Sequence, residues 1–291
     1  MKRGLARRTL VHAGWAAPAA WLLGGCAGKA SSATARWATG GTARIGAAVR
    51  ASTPFAQDAA NVCQLACEAT IGPCHTLSPE RSDVSEGWDG LPLHMQLRIV
   101  DARCAPVAGA IVEIWHTNHT GGYSGRIARM CNNAEADLAR QFFRGWQRSD
   151  AQGIVRFDSC YPGWYGGRAN HVHVRVSKGG YDARDEAPAW LTTQLLFSDA
   201  LNREVFANEP LYRRRGQPDT LLADDGVVGQ ESDKTPYLFD VQQVDGVMLA
   251  SRTLAIRSRL DEAICTARGM PPPQGPGGPG HPPGPGGPPP R

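Results

Sequence analysis

Leu93-His94-Met95-Gln96-Leu97-Arg98-Ile99-Val100 sets apolar side chains at every second position against polar ones, until Val100 breaks the rule. Successive side chains of an extended strand point to opposite faces, so a period of two predicts a β-strand with one apolar face. Outward from it, residues 110–115, 143–148, 154–157, 170–177, 191–197 and 247–256 form further short apolar runs bounded by turn residues. The turn around 102–109 separates the first two. Ser149-Asp150-Ala151-Gln152-Gly153 predicts a hairpin turn between the runs on either side of it. Helical windows are few, the best being residues 135–141 inside a loop. Together these features predict an all-β fold, an antiparallel β-sandwich with long loops.

The chain has 291 residues, 42% hydrophobic and 20% charged, which argues against both a wholly disordered chain and a polytopic membrane protein. Residues 1–26 have the parts of an export signal: a basic start with Arg7-Arg8-Thr9-Leu10 resembling a twin-arginine signal, an apolar stretch, and a small-residue end. Leu23-Gly24-Gly25-Cys26 resembles a bacterial lipobox, whose Cys26 would carry a lipid anchor to the membrane. The expected location is thus outside the cytoplasm, periplasmic or membrane-anchored, with full secretion the weaker reading. Residues 27–60, rich in Ala, Ser, Thr and Gly, read as a flexible linker, and 61–268 as the folded domain. Residues 269–291, almost all Pro and Gly, read as a disordered tail.

The formal charge is +4. Lys2, Arg3, Arg7 and Arg8 lie in the signal, so the remainder is neutral, with no basic run longer than Arg213-Arg214-Arg215 to hold a nucleic acid. An exported chain oxidises cysteines that lie close in space. Without Cys26 there remain Cys63, Cys67, Cys74, Cys104, Cys131, Cys160 and Cys265, an odd set that leaves at least one thiol unpaired within the chain. No pair of CxxC motifs suggests a structural zinc site.

The segment richest in chemistry is Pro162-Gly163-Trp164-Tyr165-Gly166-Gly167-Arg168-Ala169-Asn170-His171-Val172-His173-Val174. On a strand His171 and His173 share a face while the valines pack opposite. Such a pair reads two ways, as ligands of one metal or as histidines satisfied by hydrogen bonds. Tyr165, in a Gly-flanked turn just before the strand, could reach the same point. A phenol keeps its proton to about pH 10, so two phenolates at one centre call for a hard, highly charged metal, and Fe(III) fits.

Five blocks in order extend this pattern: residues 109–116 ending in Ile114-Trp115-His116, Gly121-Gly122-Tyr123-Ser124, Arg144-Gly145-Trp146-Gln147 with Asp150-Ala151-Gln152-Gly153, the segment from Tyr165 to His173, and Thr192-Thr193-Gln194-Leu195. In order and spacing they resemble the intradiol ring-cleavage dioxygenases over roughly residues 67–197. The resemblance implies a non-haem Fe(III) cofactor held by Tyr123, Tyr165, His171 and His173, with Arg168 and Gln194 contacting substrate. It implies further that a catechol-type diol and O2 are the substrates and a muconate-type dicarboxylate the product. By position Tyr165 is the tyrosinate that leaves when catechol chelates and takes a hydroxyl proton, Arg168 steadies the ring anion, and Gln194 offers a directed amide bond.

Two departures from the family stand out. Ile71-Gly72-Pro73-Cys74 replaces an acidic-Gly-Pro-aromatic sequence, so a disulfide is expected where an aromatic usually shapes the entrance. The spacing from Tyr165 to His171 is the short form. His75, His94, His116 and His119 match no ligand role. A second reading keeps the fold but only binds catechols or catecholate siderophores without turnover. An extradiol-type Fe(II) site would need a carboxylate where the tyrosines stand. The natural catechol and any homo-oligomer are left open.

Overall fold

The computed structural model describes residues 36–57, 65–125, 128–182, 184 and 188–269. The expected export signal with its lipobox, and all but the first residue of the tail, lie outside them. Eight strands form two sheets: β1 (Pro92–Val100), β2 (Ile111–Trp115), β3 (Arg144–Arg148), β4 (Ile154–Cys160), β5 (His171–Ser177), β6 (Leu191–Leu196), β7 (Asp240–Val244) and β8 (Val247–Ala255). The first sheet runs β4-β1-β8-β7 and the second β3-β2-β5-β6. Leu93, Met95, Leu97 and Ile99 of β1 join Val112, Ile114, Val172, Val174 and Val176 of the second sheet in one core. Full burial of such side chains stabilises by about 1.5–3 kcal/mol each.

The expectation of wholly antiparallel pairing needs correction, because β1 and β8 are parallel, in register from Leu93 opposite Met248 to Val100 opposite Ala255. Parallel neighbours need a long connection, and here most of the domain supplies it. The turn at Ser149–Gly153 is not a hairpin either: β3 and β4, which it joins, lie in different sheets. Its two ends are bound to different partners. Ser149 N donates to Ala110 O at 2.9 Å beside the second sheet, whereas Gly153 O accepts from Ile99 N of the first at 2.7 Å. Gly153 has φ +76°, and a Cβ there would lie 2.3 Å from Ile99 O, so glycine is required.

The polar face of β1 does not meet solvent. Residues 41–57, within the segment read as a linker, cover it. Short helix α1 (Ala47–Arg50) brings Val49 onto Ile45 and Val247. Gln96 Nε2 donates to Ser52 O at 3.0 Å, and Arg50 reaches Asp158 at 2.7 Å. The helix expected at 135–141 is a 3-10 turn, Glu135–Ala139. Two helices not foreseen are α2 (Asp199–Asn208), capped by the Ser198 side chain on Leu201 N, and the single-turn α3 (Pro210–Arg213). Among the described residues no helix is long and apolar enough to cross a membrane.

Disulfides join Cys67 to Cys265 and Cys74 to Cys131, and Cys104 is disulfide-bonded as well. Among the described residues Cys160 is the free thiol; burial pushes it up to about 12, which leaves it inert.

Candidate metal centre

β5 is a central strand of the second sheet. Its valines face the core, and His171 and His173 face the other way, under a cover of loops. In one cross-strand row Trp115, His173 and Gln194 lie side by side. Trp115 stacks on His173 with centroids 4.7 Å apart and an interplanar angle of 8°, which fixes the imidazole plane. Gly72, with φ +73°, brings the Ile71–Pro73 loop onto the same imidazole; a Cβ there would lie 3.3 Å from His173 Cε1.

The two tyrosines come from separate loops. In the first, Asn118 Oδ1 accepts from Thr120 N and Gly122 N, tightening the turn that delivers Tyr123. Tyr123 N then donates to Cys131 O at 2.8 Å, so the Cys74–Cys131 bridge reaches the backbone of the tyrosine directly. Cys74, Trp115, Tyr123 and Cys131 form one apolar cluster against which Tyr165 packs. Buried Arg144 clamps both walls, donating to Cys74 O at 3.3 Å, to Thr76 O at 3.2 Å and to Ser124 O. The disulfide expected at Cys74 therefore exists, and it holds one wall of the cluster. In the second loop Trp164 is pinned by Arg215 Nε on its carbonyl at 2.7 Å and by its own indole N–H on Gly216 O at 3.1 Å.

Three of these side chains converge on the fourth, His171. His171 Nε2 lies 3.4 Å from Tyr123 Oη, 3.3 Å from Tyr165 Oη and 3.2 Å from His173 Nε2. Its Nδ1 is 2.7 Å from Ala169 O; a carbonyl only accepts, so Nδ1 carries the proton and Nε2 presents a lone pair to the centre. Burial, then the Arg168 charge, hold His171 well below the usual histidine range; burial and the neighbouring His171 do the same to His173. Both rings are neutral at neutral pH. Burial, reinforced by Tyr165, pushes the Tyr123 phenol far up, so only a strongly charged cation would make it a phenolate.

The three separations of 3.2–3.4 Å from His171 Nε2 match the ligand-to-ligand edges of a cation with bonds of about 2.0–2.1 Å. Among the described residues no group of three or more His, Cys, Asp or Glu is placed to hold a metal ion. Two neutral imidazoles and two phenols fit ferric iron.

Beside the cluster, Arg168 donates through Nη2 to Gln194 Oε1, and Gln194 Nε2 donates to Thr70 O at 2.7 Å. Thus all six residues singled out in the sequence lie in one neighbourhood. Asp225, the partner of Arg168, and Thr70 escaped the sequence reading; Gly72 and Arg144 stood in quoted segments, but their contacts at the centre were not foreseen. The sequence signal at Asp225 is an Asp-Gly pair, which marks a turn and carries no hint of chemistry. The four histidines without a ligand role stay outside the centre. His75 pairs with Glu113 at 3.3 Å and His94 with Asp158 at 2.6 Å. His116 sits between Thr117 O and Ser159 Oγ, both at 2.8 Å, and His119 edges Trp88.

A family model described as dioxygenase matches residues 77–207. Catechol 1,2-dioxygenase 2 of Acinetobacter lwoffii is 30% identical over 135 residues, 38% of this chain and 46% of the relative. The chain thus spans about half the length of that curated relative. The solved intradiol ring-cleavage dioxygenase of Tetranychus urticae is 25% identical with a TM-score of 0.57, covering 67% of this chain and 95% of that one. Over this region the chain is similar to the intradiol ring-cleavage dioxygenases. A second dioxygenase structure, 26% identical with a TM-score of 0.53, covers 68% of this chain and 98% of its own. The region matched by the family model holds every strand of the second sheet together with Tyr123, Tyr165, His171 and His173.

Proposed function

We propose that the protein is a non-haem, Fe(III)-dependent enzyme that cleaves a catechol-type diol between its two hydroxylated carbons, with both atoms of O2 entering a muconate-type dicarboxylate. The observation that carries this reading is the convergence of Tyr123, Tyr165 and His173 on the His171 lone pair, with Arg168 and Gln194 alongside. Iron held by these four residues would supply a Lewis acid that draws electron density from a bound catechol. The other work belongs to side chains of the chain itself. Tyr165, partly exposed where Tyr123 is buried, would as the phenolate that iron requires take the proton of an incoming hydroxyl at its oxygen. The Arg168 guanidinium faces the negative charge that develops on the ring. Gln194 ties Arg168 to the loop at Thr70, and Trp115 with the Cys74–Cys131 wall keeps water from the buried side.

The two sheets with their shared core support the sandwich arrangement. Export belongs to the same reading, supported by the Cys67–Cys265 and Cys74–Cys131 bridges, since such bonds persist in oxidising compartments. Anchoring through Cys26 is proposed with it.

The experiment is oxygen uptake by the iron-loaded protein on a panel of catechols, with 18O2 and mass spectrometry of the product. One O2 consumed per ring, and both labelled atoms in one dicarboxylate, is expected. An iron-loaded protein that binds catechols, consumes no O2 and forms no product would be a binding protein instead.

A further inference from the structure

We propose that Asp225 is a positioning residue, fixing the Arg168 guanidinium beside the ligand cluster and acting on ring cleavage through it; this rests on the function proposed above. The Asp225 side chain is 0% exposed. Its Oδ2 accepts from Arg168 Nε at 3.0 Å and from the Ala169 amide at 2.8 Å. Its Oδ1 accepts from the amides of Val227 and Val228, each at 2.9 Å. Arg168 Nη2 adds a longer contact to Oδ1 at 3.5 Å. A carboxylate withdrawn from water is tolerated only when its lone pairs are met in this way.

The donors come from two parts of the chain. Val227 and Val228 hold the carboxylate in its own turn, which gives it a fixed place before it touches anything else. Ala169 stands between Arg168 and the ligand His171, so the same oxygen that grips the guanidinium also sets the backbone leading into β5. Burial alone would raise the Asp225 carboxyl; the Arg168 charge and the amide bonds more than offset it and hold the group below the usual carboxylate range.

Arg168 is therefore gripped on one edge by Asp225 and on Nη2 by Gln194, whose own amide is anchored on Thr70 O. Its Nη1 corner enters none of these bonds. A guanidinium is a rigid fork, so binding Nε and Nη2 fixes where the remaining donors point. The close carboxylate also offsets part of the positive field of Arg168, so the arrangement aims the charge and does not enlarge it. Preorganised donors count most where charge appears only in the transition state, because no ordering is left to do at that moment. The loss of Asp225 should then fall on kcat more than on KM.

The test uses the full, iron-loaded chain. Asp225→Asn keeps the shape and removes the charge and one acceptor. Expected are unchanged iron content and visible band, kcat lowered at least tenfold with KM within threefold of the parent, and no further loss when Asp225→Asn is added to Arg168→Ala. A kcat per iron within twofold of the parent, or losses that multiply with those of Arg168→Ala, would overturn the proposal. Should Asp225→Asn not accumulate as folded protein, Arg168→Lys decides, since it keeps the charge and lacks the fork: a tenfold fall in kcat supports positioning, and near-parent turnover rejects it. A crystal structure of Asp225→Asn separates this inference from the function on which it rests. A parent that consumes no O2 defeats the function; Arg168 still seated on Gln194 in the variant defeats the inference.

Discussion

β1 and β5 carry look-alike pairs, His94 with Gln96 and His171 with His173, each two residues apart on one strand face. Their surroundings separate them. His94 Nδ1 meets Asp158 Oδ1 at 2.6 Å, its Nε2 meets the Gln96 amide at 3.3 Å, and Arg50 completes the charge balance on Asp158. The first pair is closed on itself. In the second, no carboxylate among the described residues bonds either ring, and the ring tips point at each other and at two phenols. Both pairs are buried. What separates the two pairs is thus whether the ring lone pairs are already spoken for, which spacing along a strand does not reveal.

The largest expected effect breaks the second pair. His171→Ala or His173→Ala should empty the iron site and abolish oxygen uptake, whereas His94→Ala should keep one iron per chain and lose only stability. Metal analysis of the purified variants checks this, and iron retained in His171→Ala would remove that residue from the ligand set. Next come the disulfides. In the loop-entropy picture either Cys131→Ser or Cys265→Ser costs about 4–5 kcal/mol of stability, read from urea unfolding. Only Cys131→Ser should also weaken iron binding, because Cys131 O holds the Tyr123 amide.

A third prediction sharpens the comparison through His116, which is closed like His94 and has no acidic partner. Burial pushes it down to about 4. The unfolded chain binds this proton from about pH 6.5 and the folded chain only near pH 4, so stability falls as pH drops across that window and levels off below it. The loss attributable to His116 is about 3 kcal/mol, and His116→Asn should flatten that part of the pH–stability curve. The smallest effect is kinetic. Tyr165→Phe should keep its iron, lose one tyrosinate contribution to the visible band, and chelate catechol roughly tenfold more slowly in anaerobic stopped flow, a change of about 1.4 kcal/mol in barrier. Chelation at the parent rate with the band intact would show that Tyr165 is not the group that yields.

Seven strands were legible because alternation and turn residues are local signals. β7 was not. Its sequence, Asp240-Val241-Gln242-Gln243-Val244, is an edge strand with little to bury, although the Asp245-Gly246 turn after it, with φ +51° and +79°, is a typical hairpin signal. α2 was missed at Ser198-Asp199, a readable cap, because only Asn202, Val205 and Phe206 of the helix are buried and the apolar stripe is thin. The parallel partnership of β1 and β8 is a long-range choice that no local pattern encodes. At the centre, Tyr123, Tyr165, Arg168, His171, His173 and Gln194 were found through the order of their blocks. Asp225 was not, since a lone Asp-Gly in a turn looks the same whether it ends a loop or holds an arginine.

The pairing of β1 with β8 also orders events during synthesis. β2, β3, β5 and β6 lie together between Ile111 and Leu196, so the sheet that carries His171 and His173 is complete in the nascent chain while β7 and β8 are still unmade. The first sheet cannot close until Ala255 has left the ribosome, and the Cys67–Cys265 bond spans 198 residues. Contacts that distant are the slow ones in folding. Until they form, Leu93, Met95, Leu97 and Ile99 have no β8 beside them. The interval between the two closures is when this chain most needs protection from aggregation.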